Sequence, residues 1–212
     1  MPRTQEGLAR LIEREGLGDP RIVDAFRAID RADFVPAAAR GEAYRDRPVA
    51  IPEQQTTSQP SLIARMIDAV GPKSDDVVLE VGTGFGFQTA LLARLSERVV
   101  SVERWPSLAE PARRNLAAAG IDNAEVVIGD GWNGWPAAAP FGAIVVSAAA
   151  SDLPVALGEQ LRDGGRMVIP VRAARSDEVV LFEKRGDRLE RVRLVTPARF
   201  VPLVPGAPSA GG

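Results

Sequence analysis

Short apolar runs alternate with helix-spaced apolar positions through the middle of the chain. The runs predict five strands, at 77–79, 99–102, 124–128, 141–146 and 166–171. Between them, apolar residues at helical spacing predict helices that begin near Phe87 and at Pro106, and a third that runs through Leu161 and ends at Gly164-Gly165. Strands that alternate with helices are typical of a parallel sheet with helices on both faces. The pattern therefore predicts a doubly wound α/β fold.

Amphipathic helices are predicted at the N-terminus. One covers residues 4–16, and the next starts at Asp19-Pro20, where an acid caps the first turn and proline takes its first position. A polar run at 51–60 follows, and Pro60 predicts the start of another helix. We expect residues 1–60 to form a helical cap and a substrate loop.

An antiparallel hairpin is predicted near the C-terminus. Its strands are 179–184 and 189–195, and Gly186-Asp187 lies between them. We expect a single domain over residues 1–204, followed by a disordered tail at 205–212.

A glycine-rich turn joins the first predicted strand of the sheet to its helix. Glu80 ends that strand, glycines follow at 82, 84 and 86, and the next strand ends in Glu103. Glycine permits the φ angles of a sharp turn and lets a ligand approach the backbone. An acid at the end of the second strand is placed to accept hydrogen bonds from ribose hydroxyls. The layout predicts a site for a nucleoside-bearing cofactor at the carboxyl end of the sheet.

The spacing of the glycines discriminates among such cofactors. The dinucleotide fingerprint G-x-G-x-x-G/A needs a small residue where this chain has Phe87, and no Gly-Lys-Ser/Thr follows for a P-loop. Glu80 would repel a pyrophosphate, whereas it suits a ligand with an ammonium and a sulfonium group. We therefore predict S-adenosylmethionine. The alternatives are a nicotinamide-dependent oxidoreductase and a tight turn that binds nothing.

The composition narrows the chemistry further. The 212 residues include no histidine and no cysteine, and the formal net charge is −2. Ser-His-Asp catalysis, thiol nucleophiles, cysteine zinc sites and the commonest metal ligand, histidine, are therefore excluded, and we predict no metal. Methyl transfer to a nucleophile that is already ionised fits this composition because it needs little proton shuttling.

The same composition bears on partners and location. There is no basic excess of the kind that nucleic-acid surfaces show, and no apolar run approaches the roughly 20 residues of a membrane span. The N-terminus has no apolar signal-peptide core. We expect a cytoplasmic protein that binds neither nucleic acid nor membranes.

Three further segments carry candidate chemistry. Thr56-Thr57-Ser58 concentrates hydroxyl groups in the polar run, although capping and turn formation are the simpler interpretation. Gly129-Asp130-Gly131 ends the third strand, where an acid is placed to contact adenine, and a plain turn is the alternative. The small residues at 147–151 either leave room for a substrate or allow close helix packing.

Ten short segments occur in a defined order between Ile22 and Val204. They are FVP at 34–36, AY-x-D-x-P at 43–48, QTTSQP at 55–60, LEVGTGFGFQTALLA at 79–93, SVER at 101–104, GDG at 129–131, APF at 139–141, AAA at 148–150, QL-x-x-GGR at 160–166 and FVPL at 200–203. Together they resemble the protein-L-isoaspartate O-methyltransferase family. The resemblance implies a seven-stranded methyltransferase with strand order 3-2-1-4-5-7-6, which uses S-adenosylmethionine to esterify isoaspartyl carboxylates and so starts their repair.

The resemblance also implies roles for individual residues. Ser58 and Thr56 are the expected catalytic residues, and Ser58 is expected to orient the accepting carboxylate. The expected cofactor-binding residues are Glu80, Gly82, Thr83, Gly84, Glu103, Arg104, Asp130 and Gly131. The expected substrate-binding residues are Thr57, Gln59, Ala149, Phe200 and Val201.

Three positions depart from the family's pattern. Pro52 and Gln54 stand where the family usually has glycines, and Gly142 stands where it usually has aspartate. The changes leave two alternatives to repair: a methyltransferase for an aspartate in one dedicated peptide or for a small acid, and a non-catalytic module that binds S-adenosylmethionine. For the repair enzyme we expect a peptide or protein substrate bearing isoaspartate and a monomeric chain.

Overall fold

The computed structural model describes residues 2–206, so most of the predicted tail, 207–212, lies outside the described residues. The described part forms the strands β1 (Val49–Ile51), β2 (Gln55–Thr57), β3 (Val77–Val81), β4 (Arg98–Glu103), β5 (Ala124–Ile128), β6 (Phe141–Val146), β7 (Leu161–Val171), β8 (Asp177–Arg185) and β9 (Arg188–Ala198). Its α-helices are α1 (Gln5–Glu13), α2 (Pro20–Ala28), α3 (Pro60–Val70), α4 (Phe87–Ala93), α5 (Pro106–Ala118) and α6 (Val155–Glu159). No helix within residues 2–206 is both long and apolar enough to cross a membrane.

Seven of these strands build one sheet in the spatial order β5-β4-β3-β6-β7-β8-β9. Neighbours from β5 to β7 are parallel, whereas β8 and β9 are added antiparallel at one edge. β1 and β2 form a separate antiparallel hairpin. The predicted doubly wound, mostly parallel α/β sheet is confirmed.

Alternate residues of the central strands enter two hydrophobic clusters. Val78 belongs to the cluster that contains residues of α1 to α5, whereas its neighbour Leu79 belongs to the cluster that contains Leu157 of α6, with Trp132 and Trp135 packed against it. Strands buried on both faces need continuous apolar runs. This is why the central strands are visible in the sequence as mostly apolar segments.

The order of the last two strands differs from the expected one. Counted within the sheet in chain order, the strands run 3-2-1-4-5-6-7 rather than 3-2-1-4-5-7-6. Only residues 172–176 link β7 to β8, and a crossover to a parallel strand needs a dozen or more residues. β8 therefore turns back directly beside β7 and pairs with it from Arg166↔Glu183 to Val171↔Glu178.

The predicted helix through Leu161 is also wrong in its extent. α6 ends at Glu159, and β7 already begins at Leu161. Phe141 pairs with Leu161, but the register shifts before Ala143 pairs with Arg166. The glycines at 164 and 165 therefore lie at a register shift within β7 and do not end a helix.

The strand order reverses direction between β3 and β6, and ligands in open α/β sheets bind at such a switch point. The residues that follow the carboxyl ends of the strands here are Gly82 after β3, Arg104 after β4 and Ser147 after β6. The fold thus brings the glycine-rich turn, an acid-ended strand and the small-residue segment together.

Candidate active site

A first cavity lies at the switch point, beside the carboxyl ends of β3 and β4. It has a volume of about 860 Å³, part of it open to solvent. Its walls are the glycine-rich turn, residues 103–105, the β1–β2 hairpin and the segment 201–204. Among the described residues, no group of three or more acidic, histidine or cysteine side chains is placed to hold a metal ion.

Backbone geometry explains the glycines of the turn. Gly82, Gly84 and Gly86 have φ angles of +95°, +57° and +91°, which side chains resist. A Cβ on Gly84 would also lie 3.3 Å from Ile51 Cδ1, so the hairpin packs directly onto the turn. Gly82, Thr83 and Gly84 all line the first cavity.

Glu103 stands on the wall of the first cavity with 4% of its surface exposed. Its carboxylate accepts hydrogen bonds from the backbone N–H of Gly84 at 2.9 Å and of Trp105 at 3.0 Å. Burial raises the pKa of Glu103, while these backbone donors oppose the shift. Its two oxygens can accept further hydrogen bonds, which suits a pair of ribose hydroxyls. Arg104, also on the wall, places its guanidinium 5.2 Å from the Trp105 ring centroid.

The structure places Glu80 behind the cavity wall rather than on it. Its side chain is fully buried, and its carboxylate accepts hydrogen bonds from Thr89 Oγ1 at 2.5 Å, Ser101 Oγ at 2.6 Å and Gln88 Nε2 at 3.0 Å. Burial raises its pKa to about 7 against the lowering effect of these donors. The expected direct contact with a cationic ligand does not fit this position, because no part of the carboxylate is exposed. Glu80 instead fixes the residues around it.

Asp130 and Gly131 follow β5. Asp130 accepts hydrogen bonds from the backbone N–H of Trp132 at 3.0 Å and of Gly206 at 2.8 Å. Gly131 lines the first cavity, and a Cβ there would lie 2.3 Å from Val81 Cγ1. The chain therefore needs glycine for this close approach, whereas the Asp130 carboxylate ties the turn to the C-terminal segment.

The β1–β2 hairpin carries the predicted hydroxyl groups, and residues 56–58 line the first cavity. Its turn places Glu53 and Gln54 at φ angles of +59° and +56°. This conformation costs a side-chain-bearing residue about 1–2 kcal/mol. The departure from glycine at Gln54 therefore leaves a strained turn beside the cavity.

A buried arginine holds the segment that leads to Ser58. Arg31 is 0% exposed, and its guanidinium lies 5.8 Å from the Phe87 ring centroid. Burial lowers the pKa of Arg31 to about 10, partly offset by the charge of Asp46. Its terminal nitrogens donate to the main-chain carbonyls of Ala43 (2.9 Å), Arg45 (3.1 Å), Arg47 (3.2 Å) and Ser58 (3.0 Å). These bonds fix the irregular segment before α3 to the Arg31 guanidinium.

A second cavity of about 750 Å³ lies between the hairpin, the start of α3 and residues 196–201. Gln59, Phe200 and Val201 of the expected substrate-binding residues line it. Its lining contains Arg65 and Arg199 and no acid. Arg65 pairs with Glu15 at 2.6 Å, whereas Arg199 makes no ion pair within the described part of the chain. The lining therefore favours an anionic ligand.

The two cavities meet at four residues that line both: Thr56, Ser58, Ser147 and Val201. We call this set the junction. Thr56, Ser58 and Val201 are predicted from the sequence, whereas Ser147 appears there only as a small residue. Its position after the fourth strand of the sheet, at the switch point, is the signal that marks it.

Ala149 lines neither cavity. It is 2% exposed, its N–H donates to the Val201 carbonyl at 2.8 Å, and its carbonyl accepts from the Leu203 N–H at 2.8 Å. The expected contact between Ala149 and the substrate is therefore replaced by a backbone pairing that holds residues 201–203 beside the junction.

The aspartate that the family usually has at position 142 is glycine here, and the side chain of Asp76 occupies the space beside it. A Cβ on Gly142 would lie 2.1 Å from Asp76 Oδ1, so the Asp76 carboxylate fills the space that a side chain would need. Asp76 accepts from the Lys73 N–H at 2.8 Å and lies 2.5 Å from Arg162 Nη2. These residues are at the amino ends of β3 and β6. The departure at Gly142 therefore lies outside the candidate site.

Residues 3–207 match the sequence profile of a family described as protein-L-isoaspartate(D-aspartate) O-methyltransferase. The chain is 48% identical over 193 residues to a protein-L-isoaspartate O-methyltransferase of Methanoculleus marisnigri, which covers 91% of this chain and 87% of the relative. It is 49% identical over 198 residues to one from Anaeromyxobacter dehalogenans strain 2CP-1, with 92% and 95% covered.

Solved structures are similar over the same length. One named protein-L-isoaspartate O-methyltransferase superposes with a TM-score of 0.83 at 31% identity, covering 98% of this chain and 66% of that chain. A beta-aspartate methyltransferase of Plasmodium falciparum, solved in complex with S-adenosyl-L-homocysteine, gives a TM-score of 0.80 with 96% and 99% covered. Because the sequence identity to the second structure is 23%, this similarity supports only a shared fold.

Proposed function

Because the chain belongs to the protein-L-isoaspartate(D-aspartate) O-methyltransferase family, we propose that it transfers a methyl group from S-adenosylmethionine to the carboxylate of an isoaspartyl residue in a peptide or protein. The observation that carries this function is the junction. There, a cavity suited to a nucleoside cofactor opens into a cavity whose lining has arginines and no acid. A methyl donor and an anionic acceptor held in separate cavities would meet at this point.

The first cavity fits S-adenosylmethionine. Glu103 would accept hydrogen bonds from the ribose hydroxyls through its remaining acceptor positions. The bare backbone of Gly82 and Gly84 would lie against the ligand, and Trp105 and Leu108 offer apolar surface in the same wall. When bound there, S-adenosylmethionine supplies a methyl group carried on a positively charged sulfur.

The acceptor explains why the chain needs no histidine. A side-chain or terminal carboxylate has a pKa near 4 and is ionised at neutral pH, so no residue has to remove a proton from it. Ser58 and Thr56 would donate hydrogen bonds that orient the carboxylate. These bonds must not hold its charge too strongly, because that charge is lost as the ester forms.

Positioning then carries most of the catalysis. Aligned reactants can recover about 7–11 kcal/mol of a barrier. Arg31 supports this alignment by bonding to the Ser58 carbonyl. The hairpin and residues 201–204 wall the first cavity and reduce the access of water.

The test is methyl transfer from labelled S-adenosylmethionine to two peptides that differ only in carrying isoaspartate or normal aspartate at one position. Base-labile label on the isoaspartyl peptide alone is the expected result. Label on the aspartyl peptide alone would assign a different acceptor. Label on neither peptide, with the cofactor still bound, would overturn the proposed function.

A further inference from the structure

Ser147 lies where the two cavities meet, at the first position after β6. Its backbone N–H donates to the Val81 carbonyl at 2.8 Å. A Cβ on Gly82 would lie only 3.4 Å from the Ser147 Cβ. The residue is thus held tightly against the turn that follows β3.

Gln88 determines which way the Ser147 hydroxyl donates. Gln88 Nε2 donates to Ser147 Oγ at 2.9 Å and to Glu80 Oε1 at 3.0 Å, so both amide hydrogens are used. Ser147 Oγ is therefore an acceptor on the side of α4. Its own hydrogen is left for another partner, and within residues 2–206 it makes no second side-chain hydrogen bond.

Glu80 keeps Gln88 in this orientation. In its ionised form Glu80 only accepts hydrogen bonds, so the amide turns its nitrogen rather than its oxygen toward it. Gln88 is only 7% exposed and has no room to swing into solvent. Thr89 and Ser101 hold the other carboxylate oxygen. A fixed chain of contacts therefore runs from a buried acid to a hydroxyl at the junction.

We propose that Ser147 is a third hydroxyl that binds the acceptor carboxylate, and that Gln88 and Glu80 are positioning residues that act through it. This inference rests on the proposed function, since it takes the isoaspartyl carboxylate as the partner of the hydroxyl. A carboxylate has two oxygens, and Ser58 and Ser147 approach the junction from separate elements of the fold. Two donors from different elements fix its orientation more closely than one.

The first test is Ser147→Ala. Loss of a hydrogen bond to a charged group should lower kcat/KM for the isoaspartyl peptide by about 10- to 100-fold. The Kd of S-adenosylmethionine, measured by calorimetry, should stay unchanged, since the hydroxyl is assigned to the acceptor. Ser151→Ala is the matched control: Ser151 belongs to the same small-residue segment, is exposed and lines neither cavity. It should keep wild-type kinetics.

The second test addresses Gln88. Gln88→Met should lower kcat at saturating cofactor by a similar factor, because it frees the Ser147 hydroxyl to turn away. In the double variant with Ser147→Ala, the loss should be no larger than the greater single loss, as expected for residues that act as one unit. Fully multiplied losses would overturn the positioning role of Gln88.

Peptide binding separates this inference from the proposed function. The isoaspartyl peptide is titrated by calorimetry into wild type and Ser147→Ala, each saturated with S-adenosylhomocysteine. Weaker binding by Ser147→Ala supports the role of Ser147 even if wild type transfers no methyl group, an outcome that would refute only the proposed function. Equal peptide affinity and equal kcat/KM in both proteins would overturn the inference. Wild type that neither binds nor methylates the peptide would overturn both.

Discussion

The carboxylate of Glu53, at the tip of the β1–β2 hairpin, accepts a hydrogen bond of 2.6 Å from Ser107 Oγ in the first turn of α5. The hairpin and α5 form different walls of the first cavity, which Ile51 lines from the hairpin and Leu108 from α5. We call this contact the latch, because it ties the hairpin across the cavity to the helix that follows Glu103.

Removal of the latch should speed cofactor release. In Glu53→Gly the hydrogen bond is lost, and exposed hydrogen bonds contribute little, so the dissociation rate of S-adenosylmethionine should rise by about twofold to fivefold. Stopped-flow tryptophan fluorescence can follow this rate, because Trp105 lines the cavity.

Gln54→Gly is the matched control for that variant. It relieves the same kind of backbone strain at the neighbouring position but keeps the latch, so the free energy of unfolding should rise by about 0.5–1 kcal/mol while the release rate stays at its wild-type value. If Glu53→Gly and Gln54→Gly release the cofactor equally fast, the latch has no role.

Ser58→Ala should lower turnover without weakening the cofactor. Its hydroxyl is assigned to the acceptor carboxylate, and one hydrogen bond to a charged group corresponds to about 10- to 100-fold in rate. Steady-state kinetics on the isoaspartyl peptide and calorimetry with S-adenosylmethionine measure the two effects separately. Equal loss of turnover and of cofactor affinity would count against this role.

Glu103→Ala should do the reverse. Two hydrogen bonds from a ribose to a buried carboxylate would be lost, which predicts a Kd for S-adenosylmethionine weaker by on the order of 100-fold. Turnover at saturating cofactor should change much less. An unchanged Kd by calorimetry would refute the ribose role of Glu103.

Glu80 should make stability depend on pH. Its pKa is raised from 4.5 to about 7 by burial, so the folded protein holds this proton more tightly than the unfolded chain. The stability gained from it is complete below the unfolded pKa and is lost as the pH rises through the folded pKa, a difference of about 3 kcal/mol.

Urea denaturation of wild type and Glu80→Gln at a series of pH values measures this term. The difference in unfolding free energy between the two proteins should shift in favour of Glu80→Gln from about pH 4.5 to 7 and then level off. A pH-independent difference would show that Glu80 does not titrate in this window.

Gly142→Ala should destabilise the fold without touching the site. Its Cβ would fall 2.1 Å from Asp76 Oδ1, and overpacking of this kind costs about 1–3 kcal/mol. Combining it with Asp76→Ala should restore part of that loss, so the two changes should not add. Thermal unfolding measures both effects, and wild-type stability of Gly142→Ala would contradict the close contact.

The sequence predicts those elements whose signals are local. β5 and β6 match their predicted bounds, and β6 is the clearer case because a strand buried on both faces is a continuous apolar run. α2, α3 and α5 begin at Pro20, Pro60 and Pro106, as proline at a first helical position predicts. The order of β8 and β9 depends instead on the length of a connection, and the start of β7 on a register shift, which no local pattern reports.

Within the site, too, features with a local sequence signal are predictable and features that depend on distant contacts are not. The glycine-rich turn and Glu103 follow from one short motif, so their place at the first cavity is predictable. The bond between Gln88 and Ser147 joins residues 59 positions apart, and no periodicity links them. The burial of Glu80 is equally hidden, because an acid at the end of a strand is expected to face a ligand.

The lining of the second cavity has a consequence for turnover. Substrate would enter it as an anion and leave as a neutral ester, while Arg199 and the hydroxyls of the junction would interact strongly only with the anion. Methylation would thus remove the charge by which the peptide is proposed to be held. The methyl ester should therefore bind more weakly than the substrate carboxylate and dissociate readily. We expect the methylated peptide to inhibit only weakly, even when methylated protein accumulates.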